Sequence, residues 1–110
     1  MVEPSPEFRV VLTTAANAEE AERLGRALVE ERLAACATCL PGARSAYRWR
    51  GEVETADEVL LLLKTAVGQL AALEARLNEM HSYETPEFLV LEVEAASAAY
   101  LAWLEGNLKP

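Results

Sequence analysis

Apolar residues fall into blocks whose spacing changes along the chain. Phe8–Thr14 is β-branched and apolar and reads as a buried strand. Asn17, followed three residues later by Glu20, has the form of a helix N-cap with its capping-box partner. Ala21, Leu24 and Leu28 then recur at helical spacing, and the helix is predicted to end around Arg32. Thr38–Arg50 and Glu52–Thr65 are two strand-like runs joined near Arg50-Gly51-Glu52. The first alternates, with Ser45, Tyr47 and Trp49 on one face and Arg44, Arg48 and Arg50 on the other. The second ends in Val59-Leu60-Leu61-Leu62-Leu63, apolar on both faces. Gly68–Met80 returns to the helical period, with Leu70, Leu73, Leu77 and Met80 on one stripe. Pro86 forces Thr85 into extended geometry and opens a strand over Phe88–Val93. Ser97 caps a last helix running through Leu108, with Tyr100, Leu101 and Leu104 as its apolar face. Residues 1–7 hold two prolines and no pattern, and are expected to be a flexible tail ahead of a single domain, residues 8–110.

The order β-α-β-β-α-β plus a terminal helix predicts an α+β fold, the ferredoxin-like split βαβ sandwich. Its hairpin is over-long. Strands of about thirteen residues reach roughly 40 Å, whereas helices of about fourteen residues cover about 21 Å. An arm that outruns its helices leaves edge groups and aromatics uncovered, and a second copy of the chain is the simplest cover. Tyr47 and Trp49, on one face of that arm, are therefore read as contacts between subunits.

Composition narrows the function classes. The chain has 110 residues, ordinary hydrophobic content and a formal net charge of −8, without a run of Lys or Arg, which argues against nucleic acid as a partner. The longest unbroken apolar run, Val59–Leu63, is far short of a membrane span. No secretory pattern opens the sequence, and the two cysteines read as reduced thiols of a cytoplasmic protein.

Two clusters could carry chemistry. Cys36 and Cys39 have CxxC spacing, but they sit after a helix and enter a strand, where residues three apart face opposite ways. With one distant His they fall short of a structural zinc set. The segment His81-Ser82-Tyr83-Glu84-Thr85-Pro86-Glu87 gathers an imidazole, a phenol and two carboxylates between a helix and a strand. Such groups suit a divalent metal such as copper or zinc, or a small polar ligand. His81 at a helix C-terminus and the two glutamates also have purely structural readings, as a dipole partner and as ion-pair partners. Lys64, ending an apolar strand, is a rim residue or the charge partner of a carboxylate. No nucleophile, base and orienting group are spaced as an enzyme would need.

The sequence resembles the CutA family of divalent-cation tolerance proteins. The resemblance is carried by Leu33-Ala34-Ala35-Cys36, Pro41, Ser45-Ala46-Tyr47-Arg48-Trp49-Arg50-Gly51, Glu58-Val59-Leu60, Lys64-Thr65, His81 with Tyr83-Glu84-Thr85-Pro86-Glu87, and Tyr100-Leu101-Ala102-Trp103, in order from Phe8 to Leu108. It implies a cytoplasmic homotrimer in which the hairpin wraps a neighbour, linked to copper tolerance, with no obligatory cofactor and no enzymatic reaction. By position it implies His81, Glu84, Glu87 and Cys36 as ligands for copper or another divalent cation. Its likeness to PII signalling proteins implies an alternative, a small-molecule sensor with its ligand in a cleft between subunits lined by Tyr83 and Lys64. The sequence departs from the family's usual pattern at Thr38-Cys39, at Ser82 after His81, and at Ala95-Ala96-Ser97.

Overall fold

The elements follow the apolar blocks. A computed structural model describes residues 1–110. In chain order they form β1 (Val2–Pro4), β2 (Phe8–Ala15), α1 (Ala18–Glu30), β3 (Cys36–Trp49), β4 (Glu52–Ala66), a 3-10 turn (Val67–Gln69), α2 (Leu70–Met80), β5 (Leu89–Glu92), β6 (Ala95–Ser97) and α3 (Ala98–Gly106). The main sheet has the strand order β3-β4-β2-β5, antiparallel throughout, which is the ferredoxin-like arrangement. The helix expected from Gly68 begins as the 3-10 turn and becomes α-helical only at Leu70.

One face of the sheet is sealed by α1 and α2. Val11, Val59, Leu61 and Leu63 from the strands meet Leu24, Leu28, Leu73 and Leu77 from the helices in one core. On β4 the odd-numbered residues from Val59 to Thr65 are buried, and Leu60, Leu62 and Lys64 lie half-exposed on the opposite face. A smaller cluster of Leu101, Leu104 and Leu108 packs with Ala35, Phe8 and Ala66, so α3 covers one end of that second face. Tyr100, expected to join them, points outward. Leu40, Tyr47, Trp49, Leu89 and Leu91 remain exposed on the rest of the face.

The long hairpin is present, and its outer half carries a feature the alternation did not reveal. Register runs Cys36↔Lys64 to Leu40↔Leu60 and resumes at Ala43↔Glu58. Between these points β3 takes three steps and β4 two, which is a bulge at Pro41-Gly42, with Gly42 at φ +84°. The extra residue reverses parity on β3. The face of Cys36, Thr38 and Leu40 continues as Ala43, Ser45, Tyr47 and Trp49. At the tip, Arg50 and Gly51 both have positive φ, as a two-residue I′ hairpin turn requires. The molecule is accordingly elongated, 47 × 25 × 22 Å.

The amino-terminal segment is a correction to the expected tail. Val2–Pro4 pairs with Ala95–Ser97 as an antiparallel ribbon. The buried Ser5 donates its hydroxyl to Val93 O at 2.6 Å and its amide to Glu94 O at 3.2 Å. Neither strand is apolar or alternating, so the pairing is set by backbone groups that no hydrophobic pattern reports.

Candidate functional site

The polar cluster after α2 is built around one ring. His81 is the C-cap of α2, its amide bonded to Leu77 O at 2.9 Å. Its side chain is fully buried. Nε2 lies 2.7 Å from Thr14 O, and Nδ1 lies 3.0 Å from the Tyr83 amide nitrogen. A carbonyl can only accept and an amide N–H can only donate, so Nε2 carries the proton and the Nδ1 lone pair is taken. The ring has no free lone pair for a metal in this arrangement. It pins the loop to β2.

Glu20 anchors the same loop from α1. As expected, Asn17 Oδ1 accepts the Glu20 amide at 2.8 Å. The Glu20 carboxylate, however, reaches one residue further back, to the Ala16 amide at 3.0 Å, and also takes the Ser82 amide at 2.8 Å and the Ser82 hydroxyl at 3.0 Å. Burial by itself pushes this carboxyl up, but those hydrogen bonds outweigh burial and hold it below the usual carboxylate range. Ser82, where the family pattern differs, is thus a working partner of Glu20.

Tyr83 connects the loop to the root of the arm. Its hydroxyl donates to Glu58 Oε2 at 2.8 Å. Burial, and then the Glu58 carboxylate, push the phenol far above its ordinary value, so it stays a donor. Burial pushes Glu58 up, yet hydroxyls of Ser45, Tyr83 and Thr14 outweigh it and hold the carboxyl low. Glu87, exposed overall, moves the other way: partial desolvation, and then the neighbouring Glu58 charge, raise it. Glu84 is exposed.

The four residues matched as metal ligands do not converge in one chain. No three His, Cys, Asp or Glu side chains are placed to share an ion. Cys36 pairs across β4 with Lys64, which pairs with Val10, whereas His81 binds Thr14, four residues further along β2. That separates them by about 13 Å along the strand. Cys36 Sγ instead lies 3.7 Å from Lys64 Nζ, which donates to Thr38 Oγ1 at 2.8 Å and has no carboxylate partner. An ammonium beside the sulfur repels a second cation. Lys64 and Tyr83 are likewise at different ends of the sheet, so one chain does not bring them into one cleft.

Tyr47 and Trp49 lie where the arm has outrun its helices, 41% and 47% exposed, with the Arg50 guanidinium 5.6 Å from the Trp49 ring. Glu20 and Glu58 are the site residues that sequence reasoning missed in these roles. Glu20 carried a signal only as a cap partner. Glu58 carried one as a carboxylate opening the apolar run of β4.

Comparison with known proteins gives the family. Residues 9–107 match the family described as CutA1 divalent ion tolerance protein. A divalent-cation tolerance protein CutA from Pectobacterium atrosepticum is 46% identical over 100 residues, covering 91% of each chain. The structure of CutA from Synechococcus elongatus superimposes with TM-score 0.95 at 39% identity, covering 99% of this chain and 96% of that one. A structure from Archaeoglobus fulgidus, described as a periplasmic divalent cation tolerance protein CutA, gives TM-score 0.90 at 31% identity, covering 93% and 99%. By sequence and by fold, the chain belongs to the CutA1 family of divalent ion tolerance proteins.

Proposed function

We propose that the protein works as a homotrimer in divalent-cation tolerance, by binding rather than catalysis, and that copper or another divalent cation is held by carboxylates the assembly brings together. The exposed aromatic face of the arm carries this reading. Tyr47 and Trp49 lie on a ribbon no helix of the same chain reaches, and large aromatics are what interface cores use. Beside the root of that ribbon, Glu58 and Glu87 repel each other, a repulsion that a cation held between copies relieves. His81 serves as the anchor of the loop bearing Glu84 and Glu87, and Cys36 stands apart beside Lys64. The free thiols favour a cytoplasmic setting. Sedimentation at micromolar concentration is expected to give three times the chain mass, and a folded single chain there overturns the assembly. Calorimetric titration with Cu²⁺ is expected to give saturable heat that Glu87→Gln weakens. Absence of heat, or an unchanged variant, sinks the metal reading.

Lys64 favours a second reading. Its ammonium stands half-exposed on the uncovered sheet face without a carboxylate partner, a setting that suits an anionic small molecule. On this PII-like reading the trimer is a sensor and Tyr83 lines the cleft from a neighbouring copy. A thermal-shift screen of anionic metabolites then finds a compound that raises Tm for the wild type and not for Lys64→Ala. A broad panel without one removes it.

A further inference from the structure

We propose that residues 1–5 are a strap that holds α3 against the sheet, and that releasing it widens the cleft beside Cys36. This goes beyond the function proposed above and concerns a segment outside the family match, which begins at residue 9.

Helix α3 has nine residues and only two of them, Leu101 and Leu104, are buried. So short a helix is unstable alone and depends on what ties its ends. The carboxyl end is tied twice: Lys109 N–H donates to Arg32 O at 3.0 Å, and Gln69 Nε2 donates to Lys109 O at 2.7 Å. The amino end is tied by the strap. Met1 O accepts the Ala98 amide at 2.9 Å, one of the helix's first N–H groups, which have no partner inside the helix. Val2–Pro4 pairs with the residues just before the helix, and Ser5 locks the ribbon onto Val93 and Glu94.

What α3 holds in turn is a wall. Trp103 closes one side of an open cleft of about 390 Å³ along the free edge of β3. Gly25 and Arg26 of α1 form the opposite side, and Cys36 and Cys39 line the edge between them, one on each face of the strand. When the strap lets go, α3 loses its amino-terminal anchor, Trp103 moves off, and the partly buried Cys36 becomes more exposed.

Hydrogen exchange and thiol labelling test this in the full chain. Ser5→Asp sets a carboxylate against the carbonyls of Val93 and Glu94. It is expected to speed exchange of the α3 amides by about tenfold or more, with α1 and α2 unchanged. In a Cys39→Ser background it should speed N-ethylmaleimide labelling of Cys36 by a similar factor. The paired positions Pro4 and Ala95 can be joined by a disulfide (Pro4→Cys with Ala95→Cys), which should slow α3 exchange below wild type. Unchanged α3 protection in Ser5→Asp, exchange that rises equally in all three helices, no slowing in the cross-linked form, or an unchanged Cys36 labelling rate each overturns the proposal.

Discussion

The Glu20 carboxylate accepts both the backbone amide and the hydroxyl of Ser82, 62 residues away in sequence. One buried side chain therefore fixes the start of α1 and the loop after α2 together. Glu20→Gln keeps the shape but turns one of the two carboxylate oxygens into a donor, which then faces the amide of either Ala16 or Ser82. It is expected to cost about 2–3 kcal/mol in urea unfolding at pH 7. A loss below the error of the melt rejects the role.

The same residue sets an acid response. Its folded carboxyl titrates below its unfolded value, so its stabilisation is complete above the unfolded pKa and is lost as pH falls through the folded one. Wild type should therefore lose more stability than Glu20→Gln between pH 6 and pH 3, and the two unfolding curves should approach each other in acid. Parallel loss in both proteins contradicts this.

Glu87 is raised by partial desolvation and by the Glu58 charge. Glu58→Gln should move the Glu87 titration down, toward the ordinary carboxylate value, because the neighbouring charge is gone and only partial desolvation remains. Carboxyl-carbon NMR reads this directly. Because the folded pKa is the higher one, ionising Glu87 opposes folding as pH rises, and the variant should show less of that decline. An unmoved Glu87 midpoint means that the two carboxylates do not sense each other.

The bulge predicts a tolerated deletion. Removing Gly42 takes out the extra residue, so Pro41 alone faces Val59 and Tyr47 and Trp49 keep the face they share with Leu40. The variant should retain a cooperative melt and sediment as wild type does. Smaller species would mean that the bend made by the bulge is needed for the subunit contact in addition to the facing of the aromatics.

Gly25 marks where α1 comes nearest to β3: a Cβ there would sit 3.0 Å from Ala37 Cβ. Gly25→Ala gains about 1 kcal/mol of helix propensity, which this crowding offsets, so its net effect is small. Gly25→Val has no such compensation and should cost about 1–3 kcal/mol, with Ala37→Gly restoring part of it. Full tolerance of valine shows that the helix can shift outward.

The main sheet and helices were legible because their side chains obey a period. Val59–Leu63, the Leu24/Leu28 stripe and the Asn17 and Ser97 caps each point to one local structure. Hidden from that reading were features made by backbone or by single residues. β1 and β6 pair through main-chain groups. The bulge rests on one added residue, and the deep role of Glu20 rests on a loop 62 positions away. The candidate site was legible as a place, but a list of donor types does not tell which lone pairs the fold itself consumes. At His81 it consumes both nitrogens.

The chain has one histidine, and its ring is sealed and doubly engaged. It is therefore a natural gauge of intactness. Diethyl pyrocarbonate should leave the imidazole of a native sample untouched and acylate it only in molecules whose loop has detached. The ring's carbon-bound protons supply an NMR resonance with no overlap from a second histidine, by which that detached fraction can be followed over time.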